Sequence, residues 1–421
     1  MFHRRQLKPG YFVLEGLNSF ATVYFFYYFY FFMHEAYGFG NRANLLLAAI
    51  TVGAIYAVVA WQAGKFAERF GYFNALKVGF AVMIIAAALG LAVHSAAGHI
   101  FVMAIMVAGM CFTWPTLEAL TSEGESAAGL QRMVGIYNVV WAGTAAVAYF
   151  TGGAMLEKLG FRSLFYIPLA VELCQLGLTL WLESKARQLA PASSLSSNRP
   201  LSEPTLEQPS AFMVGTAVRL APAETITIEK RKTKNENTKA KGFLRMAWLA
   251  NPFAYIAITT LIAVIPGVAQ RLKLSTMLAG FCCSVWCFSR LGAFLALWLW
   301  SGWHYRFRWL LASFVALIAT FAATVMAPNL AVLVLAQIVF GAAIGLIYYS
   351  SLFYSMDVSD AKGEHGGVHE AAIGVGNFAG PAVGAASLYF MPQYSNSSTF
   401  AVSLLLLLGL GGLLITWWKQ E

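Results

Sequence analysis

Long apolar runs recur along this chain with short polar breaks between them, and most hold about 20 residues, the helix length that crosses some 30 Å of hydrocarbon. The runs are continuous, whereas the strands of a transmembrane β-barrel alternate apolar and polar positions over roughly ten residues. Hydropathy therefore predicts helical spans. They are Tyr11 to Met33, Ala43 to Gly64, Phe73 to Val93, Ile100 to Leu120, Met133 to Leu156 and Leu164 to Leu182. After a polar stretch come Trp248 to Val268, Ser275 to Trp300, Trp309 to Met326, Leu330 to Tyr354, Ala371 to Phe390 and Thr399 to Trp418. The expected fold is an all-α membrane protein of twelve transmembrane helices in two six-helix bundles, residues 1–182 and 248–421. The connector 183–247 contains Pro-Ala-Ser-Ser-Leu-Ser-Ser-Asn-Arg-Pro and a Lys-rich run from Glu229 to Lys241. Such a composition buries little apolar surface, so disorder is expected there.

Composition agrees with the pattern. Of 421 residues, 59% are hydrophobic and 11% charged, against about 25% charged in a soluble domain. An ordinary soluble enzyme and a disordered chain are excluded. The five cysteines, Cys111, Cys174, Cys282, Cys283 and Cys287, all fall inside apolar runs and read as small apolar fillers.

The net charge of +9 reads as topology and not as nucleic-acid binding, because it is distributed by side. With the N-terminus inside, one face holds Arg42, Lys158, Arg162, Arg271 and Lys273, Arg290 lies within a span, and every other Lys and Arg falls on the terminal face or in the connector. Basic segments resist translocation, so both termini are expected in the cytoplasm and the protein in a plasma or inner membrane. The basic connector could also meet anionic lipid headgroups.

The segment Gly64-Lys-Phe-Ala-Glu68-Arg69-Phe-Gly71, with Lys77 beyond it, lies between the second and third spans. It resembles the signature loop of the major facilitator superfamily, with Glu68 where Asp is more usual. Gly374-Val-Gly376-Asn377-Phe-Ala-Gly380-Pro381-Ala-Val-Gly384 is similar to that family's Gly-Pro-rich span motif. Glycines four residues apart let a neighbouring helix approach closely. The halves also echo each other at one constant offset, which pairs Arg69 with Arg308, Glu118 with Asp357, Gly135 with Gly374 and Asn138 with Asn377. Such repeats build transporters.

The resemblance implies a cavity bordered by spans 1, 2, 4, 5, 7, 8, 10 and 11, with spans 3, 6, 9 and 12 outside it. Charges within a bilayer are costly and are functional candidates by default. Arg290, in span 8, is expected at the cavity, holding an anionic group or countering a carboxylate. The other substrate-binding candidates are Asn138, Asn377, Tyr24, Tyr137, Trp141, Gln337 and Tyr348, with Asn18 also at mid-depth. From Tyr24 to Phe32 every residue is Phe or Tyr, which covers all faces of a helix, so most of them must meet lipid or neighbours. Glu15, Glu118 and Glu172 are candidates for proton coupling, although Glu172 on a scaffold span reads better as packing.

A cytoplasmic gate is expected from Gly64, Glu68, Arg69, Gly71, Glu118, Arg308 and Asp357. Arg69 would meet Glu118, Arg308 would meet Asp357, and Glu68 would face the start of span 11, together holding the state open to the opposite side. His365 and His369 have a spacing that can bind metal, but no third ligand stands at a telling distance, so a polar entry into span 11 is the better reading. No serine elbow, phosphate loop or acyl-transfer motif appears. The expected function is a monomeric secondary transporter, not an enzyme, moving a small organic solute without cofactor or metal. A drug or sugar efflux permease or uniporter is the alternative, and a sensor or lipid-handling protein without turnover the alternative class. The topology is checked by placing a cysteine at Ser196: impermeant reagents should leave it unlabelled in intact cells, and labelling would reverse the assignment.

Overall fold

In the computed structural model, residues 6–123, 125, 127–189, 223–358 and 362–419 are described. The first half forms α1 (Lys8–Tyr37), α2 (Asn41–Phe70), α3 (Tyr72–Ala92), α4 (Ala96–Ser122), α5 (Ala127–Leu159) and α6 (Ser163–Leu189). The second forms α7 (Ala223–Arg271), α8 (Thr276–Leu299), α9 (Phe307–Val325), α10 (Leu330–Val358), α11 (Lys362–Phe390) and α12 (Ser397–Trp418). All helices except α1 and α11 are long and apolar enough to cross a membrane by composition alone. Those two complete the set, α1 diluted by tyrosines and α11 by glycines and a polar start.

Most helices outrun their apolar stretches at the face carrying the termini. Hydropathy marks only what hydrocarbon covers, while the backbone hydrogen-bond ladder continues into water. The same effect narrows the expected connector: α6 continues to Leu189 and α7 is helical from Ala223. Phe243, Leu244, Met246 and Ala247, assigned to the connector by hydropathy, are buried, with Phe243 packed on Tyr305, Tyr354 and Trp417. Residues 190–222 of the connector lie outside the described residues.

The pairing of helices repeats between the halves. α1 packs on α5 as α7 packs on α11, α2 on α4 as α8 on α10, α3 on α4 as α9 on α10, and α3 on α6 as α9 on α12. The halves join through α5 with α8 and through α2 with α11, again equivalent pairs. Gly135 meets Trp298 on α8 and its repeat mate Gly374 meets Ala57 on α2, so the sequence echo marks matched positions of the two joints.

Small residues set the approach of these helices. A Cβ at Gly376 would strike the Pro252 carbonyl, and one at Gly380 would sit 2.5 Å from the Ile256 carbonyl oxygen, both on α7. In α2 a π-helical segment, Ala49–Ile55, brings Gly53 onto the backbone of Phe378 on α11. Between α2 and α3, Gly71 takes φ 89°, a conformation that disfavours any side chain. α1 is buried around most of its girth, as a helix apolar on all sides should be. Lys8 fastens its first turn to the other end of α4, pairing with Glu125 at 2.7 Å and donating to the Thr121 carbonyl at 2.8 Å.

Gly380→Leu should therefore lower the thermal midpoint of the purified protein markedly, since overpacking costs about 1–3 kcal/mol. Gly64→Ala, where an added Cβ meets nothing within 4 Å, should leave the midpoint unchanged. Equal effects would count against close approach as the role of the α11 glycines.

Candidate functional site

Between the halves lies a partly open central cavity of about 140 Å³. Every helix from the set 1, 2, 4, 5, 7, 8, 10 and 11 contributes to its wall, and none of α3, α6, α9 or α12 does. The lining residues follow helical spacing, because one stripe of each helix faces inward. Among them are Glu15, Thr22, Phe26 and Tyr27 on α1, Tyr56 on α2, Trp114 and Glu118 on α4, Tyr137 and Trp141 on α5, and Tyr255 and Thr259 on α7. Arg290, Tyr348 and Asn377 come from α8, α10 and α11.

Arg290 is 5% exposed. Its guanidinium carbon lies 4.4 Å from the ring centre of Trp141 and 4.8 Å from that of Trp286, over both ring faces. These cation–π contacts replace part of the lost hydration. It makes no ion pair among the described residues, and its Nε and Nη2 have no hydrogen-bond partner. Those two nitrogens form one edge of the guanidinium, the edge that offers two parallel N–H groups.

Several expected site residues converge here, and others do not. Tyr137, Trp141, Tyr348, Asn377, Glu15 and Glu118 line the cavity with Arg290. Asn377 is fixed by Thr259, whose hydroxyl donates to its Oδ1 at 2.5 Å. Asn138 is buried but does not line the wall; its Oδ1 accepts the indole N–H of Trp141 at 2.8 Å, so it sets the ring that covers Arg290. Tyr24 points away, its hydroxyl 2.7 Å from Ser163 on α6, and Asn18 accepts from Thr113 on α4. Gln337 donates to the Cys282 carbonyl at 2.8 Å, beside the interruption of α8 at Ser284, and serves the helix break rather than the cavity. Glu172 accepts from Gln175 one turn along on α6, also off the wall.

The residues missed by sequence reasoning are mainly Tyr27, Phe26, Trp114 and Tyr255. Counting by helical steps from Glu15 would have found Thr22 and Phe26, seven and eleven residues on, and put Tyr24 on the opposite side of the helix; Asn18, three residues on, shares that stripe but turns to Thr113, and Tyr27 is not reached by this count. Glu15 itself accepts from Ser19 at 2.7 Å through Oε1, while Oε2 has no partner.

Of the expected gate contacts, the described residues bear only on Arg69 with Glu118, and that ion pair is not formed in this conformation. Glu68 and Arg69 are exposed, and Arg69 lies over the Phe70 ring at 5.2 Å and makes no ion pair with Glu118. Arg308 is exposed beside Trp309. The side chains of Asp357, His365, His369 and the start of α11 lie outside the described residues. The opposite face, by contrast, is latched across the two halves. Thr276 donates to Glu35 of α1 at 2.8 Å, and the Met277 N–H donates to Glu157 of α5 at 2.8 Å. Two carboxylates thus meet the N-terminus of α8, where the helix dipole favours them, and Gly153 packs directly on Thr276. A conformation closed on that face is one in which a contact holding the other state should be parted.

Residues 125–381 match the family model described as Major Facilitator Superfamily. No curated protein sequence matches the chain. Among solved structures, a mutant of the peptide transporter POT superposes with TM-score 0.67 at 12% identity, covering 99% of this chain and 95% of that one. A mutant of the nucleoside transporter NupG gives TM-score 0.63 at 15% identity, covering 98% of each chain. At these identities the superpositions report the fold alone.

The latch can be tested directly. Glu157→Gln combined with Glu35→Gln should raise the population open at that face by roughly 3- to 30-fold, as expected for loss of two charges at a helix N-terminus, worth about 0.3–1 kcal/mol each. Spin-label distances between the ends of α5 and α8 would report it, and an unchanged distribution would remove the latch from the account.

Proposed function

Because the chain belongs to the major facilitator superfamily and is an integral membrane transporter, we propose that its central cavity carries a small organic anion by alternating access. The observation that carries this reading is the free edge of Arg290, buried within the cavity wall. A guanidinium does not lose its proton in a protein, and one desolvated without a carboxylate needs an anion or water to complete it. An arriving anion supplies both charge and acceptors. Trp141 and Trp286 hold the cation meanwhile, and Asn138 acts as a positioning residue through Trp141.

Glu15 is the proposed proton carrier. It lies 12 residues before Tyr27 on α1, roughly 18 Å along the helix at 1.5 Å per residue, so it sits toward the terminal end of the cavity, with Glu118 also on the wall. Protonation of one of two carboxylates sharing a cavity relieves their repulsion, and that gives a solute anion a partner charge for symport. On this reading the terminal face, richer in Lys and Arg, is cytoplasmic, and the protein acts as a monomer in the plasma or inner membrane. The aromatic walls favour a second reading, efflux of an apolar drug, in which Arg290 would be structural.

Thermal stabilisation of the purified protein by panels of organic anions, cations and sugars separates the two readings. Anions alone should stabilise it. Arg290→Lys should weaken that binding roughly 10- to 150-fold, the loss expected for a charged hydrogen-bond pair, and Arg290→Ala should abolish transport in proteoliposomes with the fold retained. Normal transport by the alanine variant, or stabilisation by cations or sugars, would overturn the anion reading.

A further inference from the structure

The walls around Arg290 restrict what kind of anion fits. Resting on the reading of Arg290 as the anion anchor, we propose that the solute is a small aromatic monocarboxylate, with its carboxylate attached directly to one planar ring.

Charge sets the first limit. Arg290 is the one Lys or Arg on the cavity wall among the described residues, and Glu15 and Glu118 share that wall. A second negative group on the solute would meet carboxylates or aromatic rims and no cation, and buried there without a partner it would be unfavourable. One anionic group is what the field accommodates.

Geometry sets the second. The unpartnered atoms are Nε and Nη2, two donors on a single edge, and this fork matches the two oxygens of one carboxylate lying in its plane. The rings of Trp141 and Trp286 lie over the guanidinium, and the Tyr27 side chain also interacts with it.

Size and wall chemistry set the third. A cavity of about 140 Å³ is close to the engineered apolar cavity of about 150 Å³ that takes up one benzene. Trp141 has its N–H occupied by Asn138 and therefore presents ring surface. Tyr348 stands edge-on to it at 5.7 Å, and Tyr255 continues the wall 6.5 Å from Tyr348. Ring separations of 4.5–7 Å with tilted or edge-on geometry are those of favourable aromatic pairs. Because Trp141 touches both Arg290 and this wall, one side chain joins the anion subsite to the ring subsite. A saturated ring gains the same burial but lacks the quadrupolar contribution, a difference of roughly 2- to 12-fold in affinity per ring pair.

Titration of the purified full chain by thermal shift tests this with benzoate, cyclohexanecarboxylate, benzenesulfonate, benzamide and benzylamine, and counterflow of labelled benzoate in proteoliposomes follows. Benzoate should bind at least 2-fold tighter than cyclohexanecarboxylate and tighter than benzenesulfonate, should drive counterflow, and should be matched by neither benzamide nor benzylamine. Trp141→Leu should bring the benzoate to cyclohexanecarboxylate ratio toward one. Equal binding of the two carboxylates overturns the aromatic assignment and leaves the anion anchor standing. Benzenesulfonate binding as well as benzoate overturns the carboxylate assignment alone. Binding of benzamide or benzylamine in place of benzoate overturns both this proposal and the anion reading, and silence from all five probes overturns the proposal.

Discussion

A guanidinium enclosed by membrane-spanning helices is the constraint on which the rest of the site depends. Placing an arginine at the middle of a membrane helix costs about 2.5–3.5 kcal/mol even on the mildest insertion scales. Arg290 meets that cost with two indole faces and no protein carboxylate among the described residues. Trp141 must then be held in register, which Asn138 does through the indole N–H, and Trp286 must be enclosed, which its stack on Tyr27 and its contact with Phe340 do. Even the interruption of α8 at Ser284 belongs to this arrangement, since Gln337 reaches across from α10 to a carbonyl beside it. Four helices thus serve the placement of a single cation.

The cavity exists because the helices around it approach so closely elsewhere. Gly376 and Gly380 let α11 lie against α7, and Gly153 lets α5 lie against the start of α8. Such contacts replace the hydrophobic driving force that helices lack in lipid. The joints come in equivalent pairs, α5 with α8 and α2 with α11, so a rocking of one half against the other has two matched hinge surfaces. In the present conformation Glu35 and Glu157 engage the start of α8 at one face, while Arg69 and Arg308 stand exposed at the other.

Much of the fold was legible in the sequence, because the apolar runs and the side preference of Lys and Arg both report the bilayer directly. What hydropathy hid was whatever extends beyond hydrocarbon, such as the helical turn around Phe243, and whatever depends on backbone irregularity, such as the π-helical segment of α2. The site was legible in part. Arg290 stands out because its charge is anomalous in its span, and Trp141 and Asn377 because they are polar or amphipathic at mid-depth. Tyr24 and Gln337 share those properties, but they satisfy a neighbouring helix, a distinction set by helix rotation and not by residue type. In a helix such as α1, aromatic from Tyr24 to Phe32, composition carries no rotational signal, and only Glu15 at the other end of the stripe supplies one. The latch was invisible because Glu157 meets a backbone N–H, which leaves no mark in sequence, and Glu35 meets a Thr276 hydroxyl that hydropathy does not single out.

The central claim, that the free edge of Arg290 is the anion anchor, is tested most directly by an experimental structure of the protein with its transported solute bound. Two solute oxygens should lie about 2.7–2.9 Å from Nε and Nη2, the spacing of a charge-assisted fork, with Trp141 still over the guanidinium. A solute bound elsewhere in the cavity, with that edge taken by a protein carboxylate, would contradict it.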